Sequence, residues 1–430
     1  LVLLSKMKKI IYTFFKFFFY MSIYLSCVSN SPRLCAYLIK VSLNTPKKLK
    51  KSKYSNNKVT IILYRAIGMR DVEIISNLSN KVPKFLVMDR NITKLILYNF
   101  FKGRKIFFNY WSAPVSEEKF FNQDKTYKKK HNSFWTQVIF YLKKYYNGKS
   151  LNFITFSWRY FAETALYEGC KNNNVAVKLW CKESLQADVV AEYDIKHDEF
   201  KDMLKYFKKI AVYNNLTKKK FIGMDKTTSR KIILGGCPRM LDFISNKKEK
   251  KIVKNILFLS FPSTSWPSSI KENRLLNWHL SYNKVIKILN EFAKNKELSI
   301  VIKRKNKFTY KTNLKIDKRI KIYEDGHASE FVNNADIIIS QNSSATIDSL
   351  INGKIVMVPF FENKNMKKYL YNFNKDIIYT SEEKLKKSIN NLINKKISFP
   401  YKNRNHKKTI EYYYGKSDRI VDKYIGFLNS

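Results

Sequence analysis

The stretch with the most chemical content covers residues 335–361, ADIIISQNSSATIDSLINGKIVMVPFF. A run apolar enough for a fully buried strand, residues 335–340, leads into the polar turn Gln341, Asn342, Ser343 and Ser344. A helix opens there, and after Gly353 a second buried strand, residues 354–359, ends at Pro359. The first backbone N–H groups of a helix have no partner inside it and sit at the positive end of its dipole. Ser343, Ser344 and Ala345 therefore offer a place to hold a phosphate. Asp348 falls about one turn further along, where its carboxylate can accept hydrogen bonds from ribose hydroxyls. The same residues also serve a plainer purpose, because Ser343 or Ser344 is a good helix cap.

Such a turn needs a sheet to present it, and the chain supplies the pattern for two. Short apolar runs alternate with amphipathic stretches, which is the signature of βα units and parallel sheets. In the first half, strands are expected at residues 59–64, 85–88, 106–109, 153–157, 175–179, 210–213 and 231–234, with helices between them such as 135–146 and 161–171. A polar, lysine-rich stretch at residues 245–254 interrupts the pattern. A second series then follows, with strands at 255–260, 299–303, 321–323, 335–340, 354–359 and 376–379 and helices at 283–295, 381–392 and 417–428. The expected fold is α/β, with two tandem Rossmann-like domains at residues 51–245 and 246–430 after an apolar and basic segment at residues 1–50. A cleft lies between the carboxyl ends of the two sheets, where ligands of open α/β sheets bind. There is no GxGxxG run and no Walker lysine motif, which argues against an ordinary dehydrogenase or P-loop enzyme.

A formal charge of +48 over 430 residues would ordinarily suggest nucleic acid. However, only 13 of the 82 basic residues are arginine, the usual reader of base edges, so no nucleic-acid partner is expected. Attraction to an anionic membrane surface or to a phosphorylated substrate is the more economical use of that charge. The five cysteines form no CxxC pair and indicate neither a disulfide framework nor a zinc site. Residues 10–28 are apolar except for Lys16 and follow Lys6, Lys8 and Lys9, a pattern open to a secretory signal, a spanning helix, an interfacial helix or a plain buried helix.

The turn at residues 335–361 resembles the donor-nucleotide signature of the glycosyltransferase B (GT-B) enzymes of surface carbohydrate synthesis. That group includes capsule and lipopolysaccharide transferases and the CDP-glycerol glycerophosphotransferases. Asp336, Ser343, Ser344, Asp348, Gly353, Lys354 and Pro359 match in order, with Asp348 where Glu is usual and Ile355 in place of a proline. KIILGGCPRMLDF, residues 231–243, is similar to the segment that closes the family's N-terminal domain; there Gly235 and Gly236 would let backbone approach a ligand, and Arg239 would either reach a phosphate or tie the linker between the domains. SIVIKR, residues 299–304, resembles a strand whose Lys303 faces the cleft, although the family's following Pro and His are absent. The residues near the C-terminus, YYYGKSDRIVDKYIGFL, resemble a closing helix of structural role.

The resemblance implies a donor held mainly by the C-terminal half and a base from the N-terminal half, with no cofactor and no obligatory metal. Acids near strand ends are Glu163, Glu183 and Asp188; Glu183 is the preferred base, whereas Glu163 at a helix start also suits the helix dipole. His327 reads as a capping or surface residue, and residues 261–269 as a loop flanking the donor. The expected activity is transfer of a sugar from a nucleotide-sugar donor to a saccharide or lipid-linked acceptor of a surface polysaccharide. A polyol phosphotransferase and a nucleotide-sugar epimerase stand as alternatives on the same fold, and a non-enzymatic polyanion-binding protein as another. Cytoplasmic donors make a peripheral or anchored position at the inner face of the cell membrane the favoured location.

Overall fold

A computed structural model describes residues 2–45, 57–101, 125–147, 149–182, 185–198, 200–241, 249–260, 278–304, 314–361, 364–401, 404–416 and 418–430. Two helices, α1 (Val2–Val28) and α2 (Pro32–Ser42), come first. The first sheet is built from β1 (Lys58–Leu63), β2 (Lys84–Met88), β3 (Ser150–Thr155), β4 (Ala176–Trp180), β5 (Phe207–Val212) and β6 (Ile232–Leu234). Its connections carry α3 (Ala66–Leu78), α4 (Asn91–Phe101), α5 (Lys125–Tyr145), α6 (Thr164–Asn172), α7 (Asp188–His197) and α8 (Asn215–Met224). After β7 (Glu249–Ile252), the second sheet comprises β8 (Asn255–Leu259), β9 (Ser299–Lys303), β10 (Lys321–Tyr323), β11 (Ile337–Ile339), β12 (Ile355–Pro359) and β13 (Ile378–Tyr379). Here the helices are α9 (Trp278–Phe292), α10 (Ala328–Asn334), α11 (Ser344–Ile351) and α12 (Glu382–Leu392). The chain continues through β14 (Lys396–Phe399), α13 (Arg404–Tyr414) and α14 (Ile420–Asn429).

Among the described residues each large sheet has six parallel strands, in the orders β2-β1-β3-β4-β5-β6 and β10-β9-β8-β11-β12-β13. Strands covered on both faces must be apolar nearly throughout, and β1 shows why KVTIIL reads as one. Val59, Ile61 and Leu63 enter the core under α4 and α5, whereas Ile62 points to the opposite face and packs with Met69, Val72 and Ile75 of α3. This α/β pair of doubly wound sheets is the architecture expected from the sequence.

A pair of short strands was not expected. The lysine-rich stretch at residues 245–254 contains β7, which pairs antiparallel with β14, Glu249 opposite Phe399 and Ile252 opposite Lys396. Its EKKI sequence hides the strand because the pair is exposed and charged on one side, and an edge ribbon tolerates lysine. The strand expected at residues 106–109 and the loop at residues 261–269 lie outside the described residues.

The two sheets are joined twice. The chain crosses from one to the other after β6, and α14 then returns to the first sheet. Tyr424 stacks on Trp180 at the end of β4, with centroids 4.2 Å apart and planes 20° from parallel. The Tyr424 hydroxyl donates to the Gly236 carbonyl at 2.9 Å. Gly236 has φ +76 and Gly415 has φ +76, and a Cβ on Gly415 would come within 2.1 Å of the Tyr213 carbonyl oxygen. The two passages cross at these glycines because only residues without a side chain allow the backbones so close.

Beneath α14, Lys178 of β4 is 1% exposed and donates to the Phe427 and Leu428 carbonyls at 2.8 and 2.9 Å. Those carbonyls belong to the last turn of a helix, where a cationic or N–H-rich group is favoured. Burial, with Lys58, Lys208 and Lys209 nearby, pushes the amine down to about 7. The unfolded chain keeps an ordinary lysine value near ~10.4, so across that interval the unfolded state binds the additional proton and stability rises with pH. The urea midpoint is therefore expected to climb between about pH 7 and 10, and Lys178→Met should flatten the climb. Parallel pH profiles for the parent and the variant would contradict this account.

Candidate active site

The strand order reverses between β8 and β11 in the second sheet and between β1 and β3 in the first. At such a point the connections leave in opposite directions and open a crevice at the carboxyl edge. The β11–α11 turn sits at the reversal of the second sheet. Ser343 is the cap of α11, extended at φ −151 and ψ 146, and its hydroxyl accepts from the Ala345 N–H at 3.2 Å. Thr346 Oγ1 donates to the Gln341 carbonyl at 2.6 Å and lies 2.8 Å from Ser340 Oγ. Gln341 Nε2 donates to the Pro359 carbonyl at 2.6 Å, and Asn342 Oδ1 accepts from the Tyr371 N–H at 2.8 Å. These bonds fix the turn from beneath. Asn342, Ser343, Ser344, Ala345 and Asp348 remain partly open, on the one side that helical spacing gives them.

The structure thus brings Ser343, Ser344, Ala345 and Asp348 together, and of the two uses expected for Arg239 its contacts are those of the tie between the domains. Arg239 is 4% exposed. Its Nε donates to Asp71 of α3 at 3.1 Å, and Nη1 donates to both oxygens of Asp348 at 3.1 Å. The Tyr414 hydroxyl donates to Asp348 at 2.7 Å, and the Tyr213 hydroxyl donates to Asp71. One guanidinium from the passage between the sheets therefore ties a helix of the first to a helix of the second. Burial works against this cation, but the surrounding Asp348 and Asp71 carboxylates overcome it and raise its pKa further. Burial also raises Asp71, with Arg239 pulling the other way. Gly236 belongs to the crossing described above, where a Cβ would come within 2.7 Å of the Lys416 carbonyl oxygen rather than enter an open cleft.

Lys303 lies two strands away from β11, and its amine donates to the Arg304 and Glu324 carbonyls, both at 2.6 Å. It pins the end of β9 to the chain after β10, and burial pushes its pKa down. Lys354 donates to the Asn333 carbonyl at 2.8 Å, beside the start of β12 rather than the turn. His327 occupies the cap position of α10 with no side-chain cap bond.

Among the acids, Glu163 is fully buried. It accepts from Thr155 Oγ1 at 2.9 Å and from the Tyr167 hydroxyl at 2.5 Å, and Arg65 lies 3.6 Å away. This is a buried anchor for the end of β3, with no opening to an acceptor. Asp188 begins α7 and accepts from the Tyr412 hydroxyl at 2.5 Å, across the seam. Glu183 lies outside the described residues.

The reversal of the first sheet holds side chains that sequence reasoning missed. Arg65 follows β1, Arg90 follows β2, and both guanidiniums lie over the ring of Tyr160, at 3.5 and 4.8 Å from its centre. Beside them Arg159 donates to Asp194 at 2.9 Å and to Asp198 at 2.5 Å, and Lys220 donates to Asp194 at 2.5 Å and to Gln186 at 2.8 Å. Burial opposes the Asp194 charge, but Lys220 and Arg159 outweigh it and lower its pKa. This carboxyl edge is rich in arginine and aromatic rings.

No family model matches the chain, and no curated protein matches it in sequence. Solved structures do resemble it. A Listeria monocytogenes protein named for a UDP-N-acetylglucosamine 2-epimerase activity superimposes with a TM-score of 0.50 at 9% identity, over 87% of this chain and 96% of that one. The fold is GT-B. The UDP-GlcNAc 2-epimerase of Neisseria meningitidis, solved with UDP-GlcNAc bound, gives a TM-score of 0.49 at 14% identity, over 87% of this chain and 99% of that one. The trehalose-6-phosphate synthase OtsA gives 0.48 at 7% identity, over 87% and 99%. At these identities the likeness concerns the GT-B fold alone.

Proposed function

We propose that this chain is a glycosyltransferase that moves a sugar from a nucleotide-sugar donor to a growing surface polysaccharide. The observation that carries the reading is the β11–α11 turn, held from below at the strand reversal of the second sheet with its helix N-terminus and Asp348 on one open side. The backbone N–H of Ser344, at the positive end of the helix whose next N–H is taken by the Ser343 cap, holds a donor phosphate and stabilises the negative charge that grows on it as the sugar leaves. Asp348, which keeps a side chain 21% exposed, accepts from a ribose hydroxyl while Arg239 and Tyr414 fix its orientation. The arginine-rich edge of the first sheet faces the acceptor. With Glu163 sealed in the interior, Glu183 is the base that takes the acceptor proton. Its test is Glu183→Gln, which should abolish transfer and leave nucleotide binding intact.

Nucleotide binding itself is tested by thermal melting with UMP, UDP, CMP, CDP and GDP. A nucleotide at about a hundred times its dissociation constant should add ~2.7 kcal/mol of stability. Selective stabilisation by one of them supports the reading, and no shift with any removes it. The products then separate the chemistries: a glycoside for sugar transfer, a phosphodiester for polyol phosphate transfer, and an altered donor with no acceptor present for an epimerase.

A further inference from the structure

We propose that α1 and α2 form a docking surface for an anionic lipid bilayer, on which the chain lies without crossing it. Among the described residues, 11 of the 18 large hydrophobic side chains left exposed belong to these two helices. Scattered exposed hydrophobics are normal, but a cluster of this density marks an interaction face. On α1, Phe14, Phe15, Phe17 and Phe18 are 54–73% exposed, and on α2 Tyr37 and Val41 are 52% and 64% exposed.

The opposite side of α1 is already committed to the protein. Ile23 and Cys27 are buried in the first core, the Tyr20 hydroxyl donates to Asp89 at 2.6 Å, and Lys16 lies 3.5 Å from the same carboxylate. A helix tied along one side to α4 cannot be surrounded by lipid. No helix among the described residues is long and apolar enough to cross a membrane. An apolar face with basic flanks, held flat against a folded body, is the geometry of interfacial binding.

Charge decides the occupant. The first acidic residue of the chain is Asp71, and 14 lysines and arginines precede it. Next to α2, Lys40 lies over the ring of Tyr145 at 5.2 Å and Lys144 over Phe140 at 4.6 Å, so aromatic and cationic groups are interleaved on α5 as well. A second copy of this chain would bring two such cationic faces together, whereas anionic headgroups complement both features at once. Asp89, which anchors α1, directly follows β2, so docking sets the carboxyl edge of the first sheet beside the bilayer. That placement suits a lipid-linked acceptor, although the docking stands independently of the donor chemistry.

The experiment is sedimentation of the full chain with vesicles of phosphatidylcholine alone or with phosphatidylglycerol added. Binding is expected to be at least roughly tenfold tighter to the anionic vesicles and to weaken as salt is raised. The triple variant Phe14→Ser, Phe17→Ser and Phe18→Ser should lose roughly tenfold or more in affinity for the anionic vesicles with its melting temperature unchanged, because these side chains are exposed in the fold. Equal affinity for both vesicle types, or undiminished binding by the triple variant, would overturn the proposal. So would a parent chain that ignores vesicles and forms a dimer dissolved by the same three changes. Nucleotide-induced melting shifts in parent and variant report separately on the donor site.

Discussion

Replacing Arg239 with methionine is expected to lower the free energy of unfolding by about 3–5 kcal/mol, read as a lower urea midpoint with an unchanged slope. The change leaves Asp71 and Asp348 without the guanidinium that both share, and Asp71 has no access to solvent. Methionine fills much of the vacated volume, so the loss reports on charge rather than on a cavity. Adding Asp71→Asn to the same chain removes the stranded carboxylate and should recover part of the loss. A single variant within ~1 kcal/mol of the parent would show that the arginine is not the tie between the two units.

Ser344→Pro is expected to leave the fold intact and to weaken nucleotide binding by roughly 10- to 100-fold, the worth of one hydrogen bond to a charged group. Proline is well accepted at the first position of a helix, and it requires an extended residue before it, which Ser343 already is. The substitution therefore removes the Ser344 N–H and its hydroxyl, both at the helix end, and leaves the helix itself in place. Melting temperature and nucleotide affinity, measured on the same sample, separate the two effects. An unaffected affinity would mean that the phosphate does not bind at this helix end.

Strands were legible where the physics is local. β1, β8 and β12 are apolar on both faces because helices cover both, and no other element of that length looks the same. The start of α11 was equally plain, since a serine at a strand-to-helix turn has few other uses. What stayed hidden depends on contacts between residues distant in sequence. Arg159, Asp194 and Lys220 form one cluster only because β3, β4 and β5 lie side by side, and in a chain with 82 basic residues neither cation stands out. GGCPR marks Arg239 but not the groups it meets, because Asp71 lies 168 and Asp348 lies 109 positions away. β7 and β14 stayed hidden on both counts, because the partners are far apart in sequence and the exposed, lysine-rich pair carries almost no apolar signal.

The return of α14 onto the first sheet also bears on how the chain is made. Trp180 receives its cover from Tyr424 and Phe427, and Lys178 receives its acceptors from the same last turn. A ribosome adding about 5–20 residues per second needs on the order of 10–50 s to synthesise the residues between them. Throughout that interval the first sheet has an uncovered aromatic edge and a lysine without its carbonyls. Its final closure therefore waits for the second sheet and follows the slow kinetics of long-range contacts. A nascent chain stalled before residue 420 should stay sensitive to protease near β4 and should become resistant only once synthesis passes α14.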